Sequence, residues 1–186
     1  MKTITLLLGG ARSGKSYFAQ EAAKKAEKVL FVATAQAGDE DMLRRIQKHQ
    51  AERPANWRTV EATTHIGRCI EETIRTENLV IIDCITLLVT NIICQIDEKE
   101  YDSCDEAALE SCVLAEIKEL QECLKNVNAS FILVSNEVGS GIVPDNRISR
   151  IYRDLLGRAN QMLAQSADEV YLMVAGIPLR VKPRSA

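Results

Sequence analysis

Four uninterrupted apolar runs recur along the chain, and segments of helical length separate most of them. The runs lie within residues 3–8, 29–34, 78–84 and 130–135. A strand in the interior of a parallel sheet is buried on both faces, so it needs a continuous apolar run and not an alternating one. The pattern therefore predicts an α/β fold with a mostly parallel sheet flanked by helices.

The remaining elements complete this alternation. Short strands are predicted at residues 57–61, 169–176 and 178–182, the last two as an antiparallel pair at the sheet edge. Helices are predicted over residues 15–28, from 39 or 41 to 51, from 63 or 64 to 75, over 85–95 and 106–126, and from Pro144, in the first turn, to 166. The polar stretches 95–106 and 136–146 are expected to be loops, the second either functional or a structural turn or subunit contact.

Length and charge narrow the class of protein. The 186 residues are 46% hydrophobic and 26% charged, which suits one globular domain over residues 1–186. The net charge of −3 is spread without a basic tract, so nucleic acid is not an expected partner. No apolar stretch approaches the ~20 residues of a membrane span, and the N-terminus is strand-like and unlike a signal peptide. We expect a cytoplasmic protein without a transmembrane segment.

The six cysteines show no CxxC spacing. We expect reduced thiols that behave as small hydrophobes, with a redox or metal role as the minor alternative.

A glycine-rich loop follows the first apolar run and matches G-x-x-x-x-G-K-[ST]. It consists of Gly9, Gly10, Ala11, Arg12, Ser13, Gly14, Lys15 and Ser16. Glycines allow the tight turn that directs backbone N–H groups at a triphosphate, and the following helix presents its positive end to the same anion. Lys15 is expected to reach the β- and γ-phosphates and Ser16 to bind Mg²⁺. The alternative is a glycine-rich turn without a ligand.

A P-loop also requires a carboxylate at the end of a nearby apolar strand. Asp83 ends the run LVIID and meets this requirement as a second metal ligand. The alternative is an aspartate that only caps the next helix.

The two histidines differ in their setting. His49 follows Arg45 by four residues and has Arg44, Lys48 and Arg53 nearby, so positive charge favours a neutral, nucleophilic imidazole. Residues alone leave open a plain amphipathic helix with Met42, Leu43 and Ile46 inward and the basic side chains solvated. His65, near a predicted helix start, is expected to cap that helix or face water.

Three motifs are spread across nearly the whole chain: GGARSGKS, HxxxRPxxWxTxE and NEVGxGIVPxNRxxRxxRDxxGxxNQ. In these motifs the chain resembles the bifunctional adenosylcobinamide kinase / adenosylcobinamide-phosphate guanylyltransferase family of cobalamin biosynthesis. It implies a RecA-like P-loop NTPase domain and a homotrimer with sites between neighbouring subunits. It also implies phosphorylation of adenosylcobinamide by GTP or ATP, followed by transfer of GMP to adenosylcobinamide phosphate through a GMP–histidine intermediate.

The resemblance also implies roles for individual residues. His49 falls on the nucleophile, although Lys48 stands where some relatives have a second histidine. The loop Gly9 to Ser16 falls on the GTP loop. The other positions that line the nucleotide site are Thr34, Ala35, Gln36, Gln50, Ala51, Glu52, Arg53, Glu61 and Asp83. Asp83 or Glu137 could accept the substrate proton, but metal binding and structural roles suit them equally. The rival functions are a P-loop small-molecule kinase without guanylyl transfer and a RecA-like regulatory ATPase.

Overall fold

A computed structural model describes residues 2–36, 40–51, 53–101 and 103–183 of the chain. The strands are β1 (Ile4–Gly9), β2 (Val29–Ala33), β3 (Arg58–Glu61), β4 (Leu79–Asp83), β5 (Ser130–Val134), β6 (Glu169–Val174) and β7 (Ile177–Lys182). The helices are α1 (Lys15–Ala23), α2 (Glu40–Ala51), α3 (Ile66–Thr73), α4 (Ile85–Ile93), α5 (Glu106–Asn126) and α6 (Arg147–Ser166), with a 3₁₀ turn at Glu98–Glu100.

The strands described form one sheet in the order β3-β2-β4-β5-β1-β6-β7. Every neighbouring pair is parallel except β6 and β7, which are antiparallel at the edge. The predicted fold class and the antiparallel edge pair are therefore confirmed. The glycine-rich loop follows β1 and Asp83 ends β4, so both lie at the carboxyl edge of the sheet. Only β5 separates these two strands.

The core has one apolar cluster on each face of the sheet. The larger joins β1, β4 and β5 to α3, α4, α5 and α6, through fully buried residues such as Val80, Ile117 and Phe131. The smaller includes Leu7, Phe31 and Ile81 together with Ala19 of α1. Strands buried on both sides explain why their sequences are continuously apolar.

Several predicted boundaries differ from the structure. Helix α1 ends at Ala23 and not at residue 28, and a turn follows in which Ala26 N–H donates to the Ala23 carbonyl. Helix α6 begins at Arg147, because Asn146 is extended and its Oδ1 accepts a 2.8 Å hydrogen bond from Ser149 N–H. The placement of Pro144 in its first turn is therefore wrong.

The N-terminus of α3 differs from the prediction as well. The helix starts at Ile66 and not at residue 63 or 64. Glu116 of α5, a buried side chain, accepts hydrogen bonds from the N–H groups of His65 (2.8 Å) and Ile66 (2.9 Å). The cap thus comes from a distant helix and has no local sequence signal. His65 itself is exposed, as predicted, and its Nδ1 lies 3.2 Å from Glu119.

Two expectations concern parts that the structure describes only partly. Asp39, one predicted cap of α2, lies outside the described residues, and so does the side chain of Asp41.

Among the described helices, none has the combination of length and apolar character needed to span a bilayer.

Candidate active site

The glycine-rich loop joins β1 to α1 and depends on backbone conformations that favour glycine. Gly14 has φ 93° and Arg12 has φ 58°, both left-handed. A Cβ on Gly9 (φ 150°) would lie 2.6 Å from the Met173 carbonyl oxygen and 2.7 Å from Ser13 Oγ. The loop therefore has its compact shape only with glycine at position 9.

Lys15 is buried inside this loop. Its Nζ donates hydrogen bonds to the carbonyl oxygens of Gly9 (2.9 Å) and Gly10 (2.7 Å), and lies 3.4 Å from Ser13 Oγ. Burial lowers the pKa of Lys15, while the negative charges of Cys84, when ionised, and Asp83 oppose the shift. A buried cation at the start of a helix provides an anion-binding point.

The turn between β6 and β7 supports the loop from behind. Ala175 (φ 50°) and Gly176 (φ 85°) both adopt left-handed conformations, as the two central residues of a tight hairpin do. The N–H of Gly176 donates a 3.0 Å hydrogen bond to the Ser13 carbonyl. Sequence reasoning missed this contact, because it joins residues more than 160 positions apart.

A cleft of about 630 Å³ opens above the loop. Of the predicted site residues it brings together Ala11, Arg12, Ser13, Gly14, Lys15, Ser16, Ala35, Arg53, Glu61 and Asp83. Other predicted residues lie elsewhere. Gln36 and Gln50 line an adjoining cavity of about 670 Å³ between α2 and α3, and Ala51 is exposed at the end of α2. Gly9 and Gly10 contribute carbonyls to the base of the loop, and Glu52 lies outside the described residues.

Thr34 serves an internal contact. Its side chain is fully buried, and its hydroxyl donates to the Cys84 carbonyl (2.7 Å) while accepting from the Cys84 N–H (2.7 Å). The Thr34 N–H also donates to the Asp83 carbonyl at 3.2 Å. Thr34 thereby holds the backbone at Asp83, directly below the cleft.

Ser16 and Asp83 both line the cleft and suit a magnesium ion. A hydroxyl and a carboxylate are the hard oxygen ligands that Mg²⁺ prefers, with phosphates and water completing its octahedron. Among the described residues no group of three or more His, Cys, Asp or Glu side chains is placed to hold a metal.

Arg53 is held against an aromatic pair. Its guanidinium carbon lies 3.8 Å from the centroid of the Phe31 ring, and Trp57 stacks near the same ring at 6.4 Å. Burial lowers the pKa of Arg53, with Asp83 and Glu61 opposing the shift. Its Nε is buried and has no hydrogen-bond partner among the described residues. Packing on Phe31, a ring that in turn stacks with Trp57, holds the guanidinium of Arg53 at the cleft.

The side chain of His49 lies outside the part of the chain that the structure describes, as do those of Arg45 and Lys48. The backbone of His49 belongs to α2, and the same helix contributes Ile46 to the lining of the cleft.

Cys84 is the thiol in the cleft lining, and it is not activated. Burial and the neighbouring Asp83 raise the pKa of Cys84 to about 11, so it is protonated at neutral pH. All six cysteines are free, as predicted. The cleft therefore combines the cations of Lys15 and Arg53 with the side-chain oxygens of Ser16 and Asp83, while its thiol, Cys84, is protonated.

The loop, the buried lysine and the acidic strand end define a P-loop nucleotide-binding protein. The chain belongs to the cobinamide kinase / cobinamide phosphate guanyltransferase family, whose model matches residues 5–181. The predicted family is thus confirmed.

Named relatives cover almost the full length. The chain is 43% identical to the bifunctional adenosylcobalamin biosynthesis protein CobU of Salmonella typhimurium and 42% identical to that of Escherichia coli, each over 95% of this chain and 98% of the relative. It is 40% identical to the bifunctional adenosylcobalamin biosynthesis protein CobP of Pseudomonas aeruginosa, over 95% of this chain and 96% of CobP. The crystal structure of the RadB recombinase superposes with a TM-score of 0.48 at 13% identity, over 91% of this chain and 73% of RadB.

Proposed function

We propose that this enzyme phosphorylates adenosylcobinamide with a nucleoside triphosphate, GTP or ATP, and then converts the product to adenosyl-GDP-cobinamide. In the first reaction the substrate hydroxyl oxygen bonds to the γ-phosphorus. The bond from that phosphorus to the bridging oxygen breaks, the diphosphate keeps the electron pair, and the hydroxyl proton passes to water. The observation that carries the proposal is the P-loop cleft in a chain that belongs to this family.

The second reaction is proposed to use His49 as nucleophile. A nitrogen lone pair of the imidazole forms a bond to the α-phosphorus of GTP, and the bond to pyrophosphate breaks with its electron pair leaving on pyrophosphate. A phosphate oxygen of adenosylcobinamide phosphate then bonds to the same phosphorus, and the electron pair of the P–N bond returns to the imidazole. Support comes from the sequence position of His49 on α2, the helix that also supplies Ile46 to the cleft.

The proposed roles of the cleft residues follow from their contacts. The N–H groups of Gly9 to Ser16 and the Lys15 ammonium bind the β- and γ-phosphates. Arg53, which packs on Phe31 and lines the same cleft, neutralises phosphate charge. Ser16 and Asp83 would hold Mg²⁺, which supplies Lewis-acid stabilisation of phosphate charge when bound. The other predicted residues, among them Thr34, Gln36, Gln50, Ala51, Glu52 and Glu61, are proposed to support the nucleotide site.

We also propose a cytoplasmic homotrimer. Exposed apolar side chains at the sheet edge and in the loop before α6 support self-association, since such surface is costly to leave in water. They are Ile142 (94% exposed), Val143, Ile177, Leu179 and Val181. Sedimentation at micromolar concentration tests the trimer, and a monomer would contradict it.

Labelled GTP tests the proposed chemistry. With α-³²P-GTP and Mg²⁺, wild-type protein is expected to acquire an acid-labile label that adenosylcobinamide phosphate removes. His49→Ala should acquire no label, while the control His65→Ala should match wild type, because His65 is an exposed histidine at the start of α3. Phosphorylation of adenosylcobinamide by γ-³²P-GTP or ATP should persist in both variants. Kinase activity without any covalent label would contradict the role of His49 and support the rival function, a P-loop small-molecule kinase without guanylyl transfer.

A further inference from the structure

Asn136 lies two residues beyond the end of β5, and β5 lies between the strand that leads into the glycine-rich loop and the strand that ends in Asp83. Its side chain is half-buried and lines the cleft. The terminal phosphate of a nucleotide bound by Lys15 and a metal on Asp83 would lie between those two groups. Asn136 therefore borders the position of the phosphoryl group that is transferred.

The backbone of Asn136 is held on both sides. Its N–H donates a 2.7 Å hydrogen bond to Thr86 Oγ1, and its carbonyl accepts a 3.0 Å hydrogen bond from Asn160 Nδ2. The next residue, Glu137, donates its N–H to the Gly9 carbonyl at 3.0 Å, so this segment continues alongside the start of the phosphate loop.

The groups that hold Asn136 are themselves buried and satisfied. Asn160, 5% exposed on α6, accepts a 2.7 Å hydrogen bond from the hydroxyl of Ser135, which is fully buried. Thr86, at the start of α4, is 6% exposed. The hydrogen bonds of these three buried polar side chains offset the free energy lost when they leave water, and they hold the network in one geometry.

The carboxamide of Asn136 is not used by this network. Among the residues that the structure describes, no hydrogen bond from the Asn136 side chain is found, while both of its backbone polar groups are paired. A cleft-facing amide on an immobilised backbone is the kind of preorganised donor that stabilises charge on a transferred phosphoryl group.

We propose that Asn136 is a further catalytic residue of the phosphoryl-transfer reaction and that Asn160 is its positioning residue. The Asn136 Nδ2–H donates to a non-bridging oxygen of the γ-phosphoryl group while the bond to the diphosphate breaks and the bond to the substrate oxygen forms. Asn160 acts through Asn136, by fixing the carbonyl of the residue that carries the donor. This inference rests on the proposed kinase activity.

Steady-state kinetics of adenosylcobinamide phosphorylation test the proposal. Asn136→Ala should lower kcat about 10²–10³-fold, the usual cost of one preorganised donor, while the Kd of the nucleotide changes by less than about threefold. Asn136→Asp should do no better, since it replaces the donor by a negative charge. The matched control is Asn128→Ala, an exposed asparagine before β5, which should keep wild-type kinetics.

Further variants separate catalysis from folding. Asn160→Ala, and more mildly Ser135→Ala, should lower kcat about tenfold with KM unchanged, whereas a merely structural role would lower the amount of folded enzyme and leave kcat per active site intact. Labelling by α-³²P-GTP should stay within about tenfold of wild type in Asn136→Ala, because that step breaks the α,β bond and not the β,γ bond.

Each result decides one claim. Wild-type kcat in Asn136→Ala, or a loss confined to nucleotide affinity, would overturn the role of Asn136 and leave the kinase intact. If wild-type protein did not phosphorylate adenosylcobinamide at all, the proposed function would fail. In that case the test of Asn136 is slow hydrolysis of the nucleotide, in which water accepts the γ-phosphoryl group. Asn136→Ala should lower the rate of this hydrolysis by the same factor of about 10²–10³.

Discussion

The backbone N–H of Gly176 donates a 3.0 Å hydrogen bond to the carbonyl oxygen of Ser13. The antiparallel hairpin at the sheet edge is thus attached to the glycine-rich loop at Ser13. Gly14, the next residue, is equally close, since a Cβ added there would lie 3.2 Å from the Gly176 Cα. The edge hairpin is therefore part of the structure that shapes the glycine-rich loop.

Gly9→Ala tests the steric requirement at the start of the loop. A methyl group 2.6 Å from the Met173 carbonyl oxygen forces the backbone to shift, so the free energy of unfolding should fall by roughly 1–3 kcal/mol and nucleotide affinity should fall with it. Urea denaturation measures the first effect and nucleotide titration the second. The control is Gly157→Ala in α6, where a Cβ meets nothing within 4 Å and the helix should gain about 0.5–1 kcal/mol. Equal stability of the two variants would contradict the packing argument.

Lys15→Met should separate binding from stability. We expect nucleotide affinity to fall by a factor of about 10² or more, because the buried cation is lost. The fold should be at least as stable at pH 7, since burial disfavours the charged lysine. The carbonyls it leaves keep other donors: Glu137 N–H for Gly9 and Ser13 N–H for Gly10.

The stability difference at Lys15 should depend on alkaline pH. Burial lowers the pKa of Lys15 below 10.5, so the folded state loses this proton before the unfolded state does. Burial of the protonated Lys15 therefore destabilises the folded state fully below the lowered pKa, and this destabilisation disappears as the pH rises toward 10.5. The stability advantage of Lys15→Met should therefore shrink over that range, while the exposed control Lys118→Met shows no comparable trend in urea unfolding. An advantage that grew with pH would refute the argument.

Lysine should not replace Arg53 without loss of GTP binding. Its planar guanidinium stacks on Phe31 while facing the cleft, and an ammonium cannot reproduce both contacts. Arg53→Ala and Arg53→Lys are both expected to weaken GTP binding about 10–100-fold, measured by calorimetry. The matched control is the exposed Arg75→Lys, which should bind GTP as wild type does. Full affinity in Arg53→Lys would show that charge alone matters there.

Glu77→Gln should alter acid stability. Burial raises the pKa of Glu77, but hydrogen bonds from the backbone N–H groups at its turn and the Arg58 ion pair outweigh it, so its pKa lies below 4.5. The ionised Glu77 carboxylate therefore stabilises the folded state above pH 4.5. This stabilisation is lost as the pH falls below 4.5 and through the lowered pKa of the folded state, because the carboxylate becomes protonated.

Thermal unfolding measures this effect. Glu77→Gln should be less stable than wild type by about 1–2 kcal/mol at pH 7, and the gap should close in acid. Exposed Glu122→Gln, which loses only a surface pair with Lys125, should stay within about 0.5 kcal/mol throughout. A gap for Glu77→Gln that persisted unchanged at pH 3 would contradict the assignment.

Local patterns were sufficient where the structure depends on neighbours in sequence. The continuous apolar runs at β1, β2, β4 and β5 predicted buried parallel strands, because burial on both faces leaves no position for a polar side chain. The loop motif likewise predicted the position of Lys15 and Ser16 in the cleft, because its glycines and the following helix act within eight residues.

Contacts across the fold were not predictable in this way. Thr34, which the family resemblance assigns to the nucleotide site, is buried and bonds to Cys84 through its hydroxyl, and only the pairing of β2 with β4 brings these two residues together. The start of α3 was misplaced because its cap, Glu116, comes from α5.

By itself the sequence determined the fold class, the family and the position of the glycine-rich loop, since each is encoded in residues that are adjacent or regularly spaced. Only the tertiary structure decided that the β6–β7 turn supports that loop, that Arg53 rests on Phe31, and that Asn160 holds Asn136 at the cleft. The physical reason is that these are hydrogen bonds and ring contacts between strands and helices far apart in the chain. Their partners become neighbours only when the sheet order and the packing of helices on it are set.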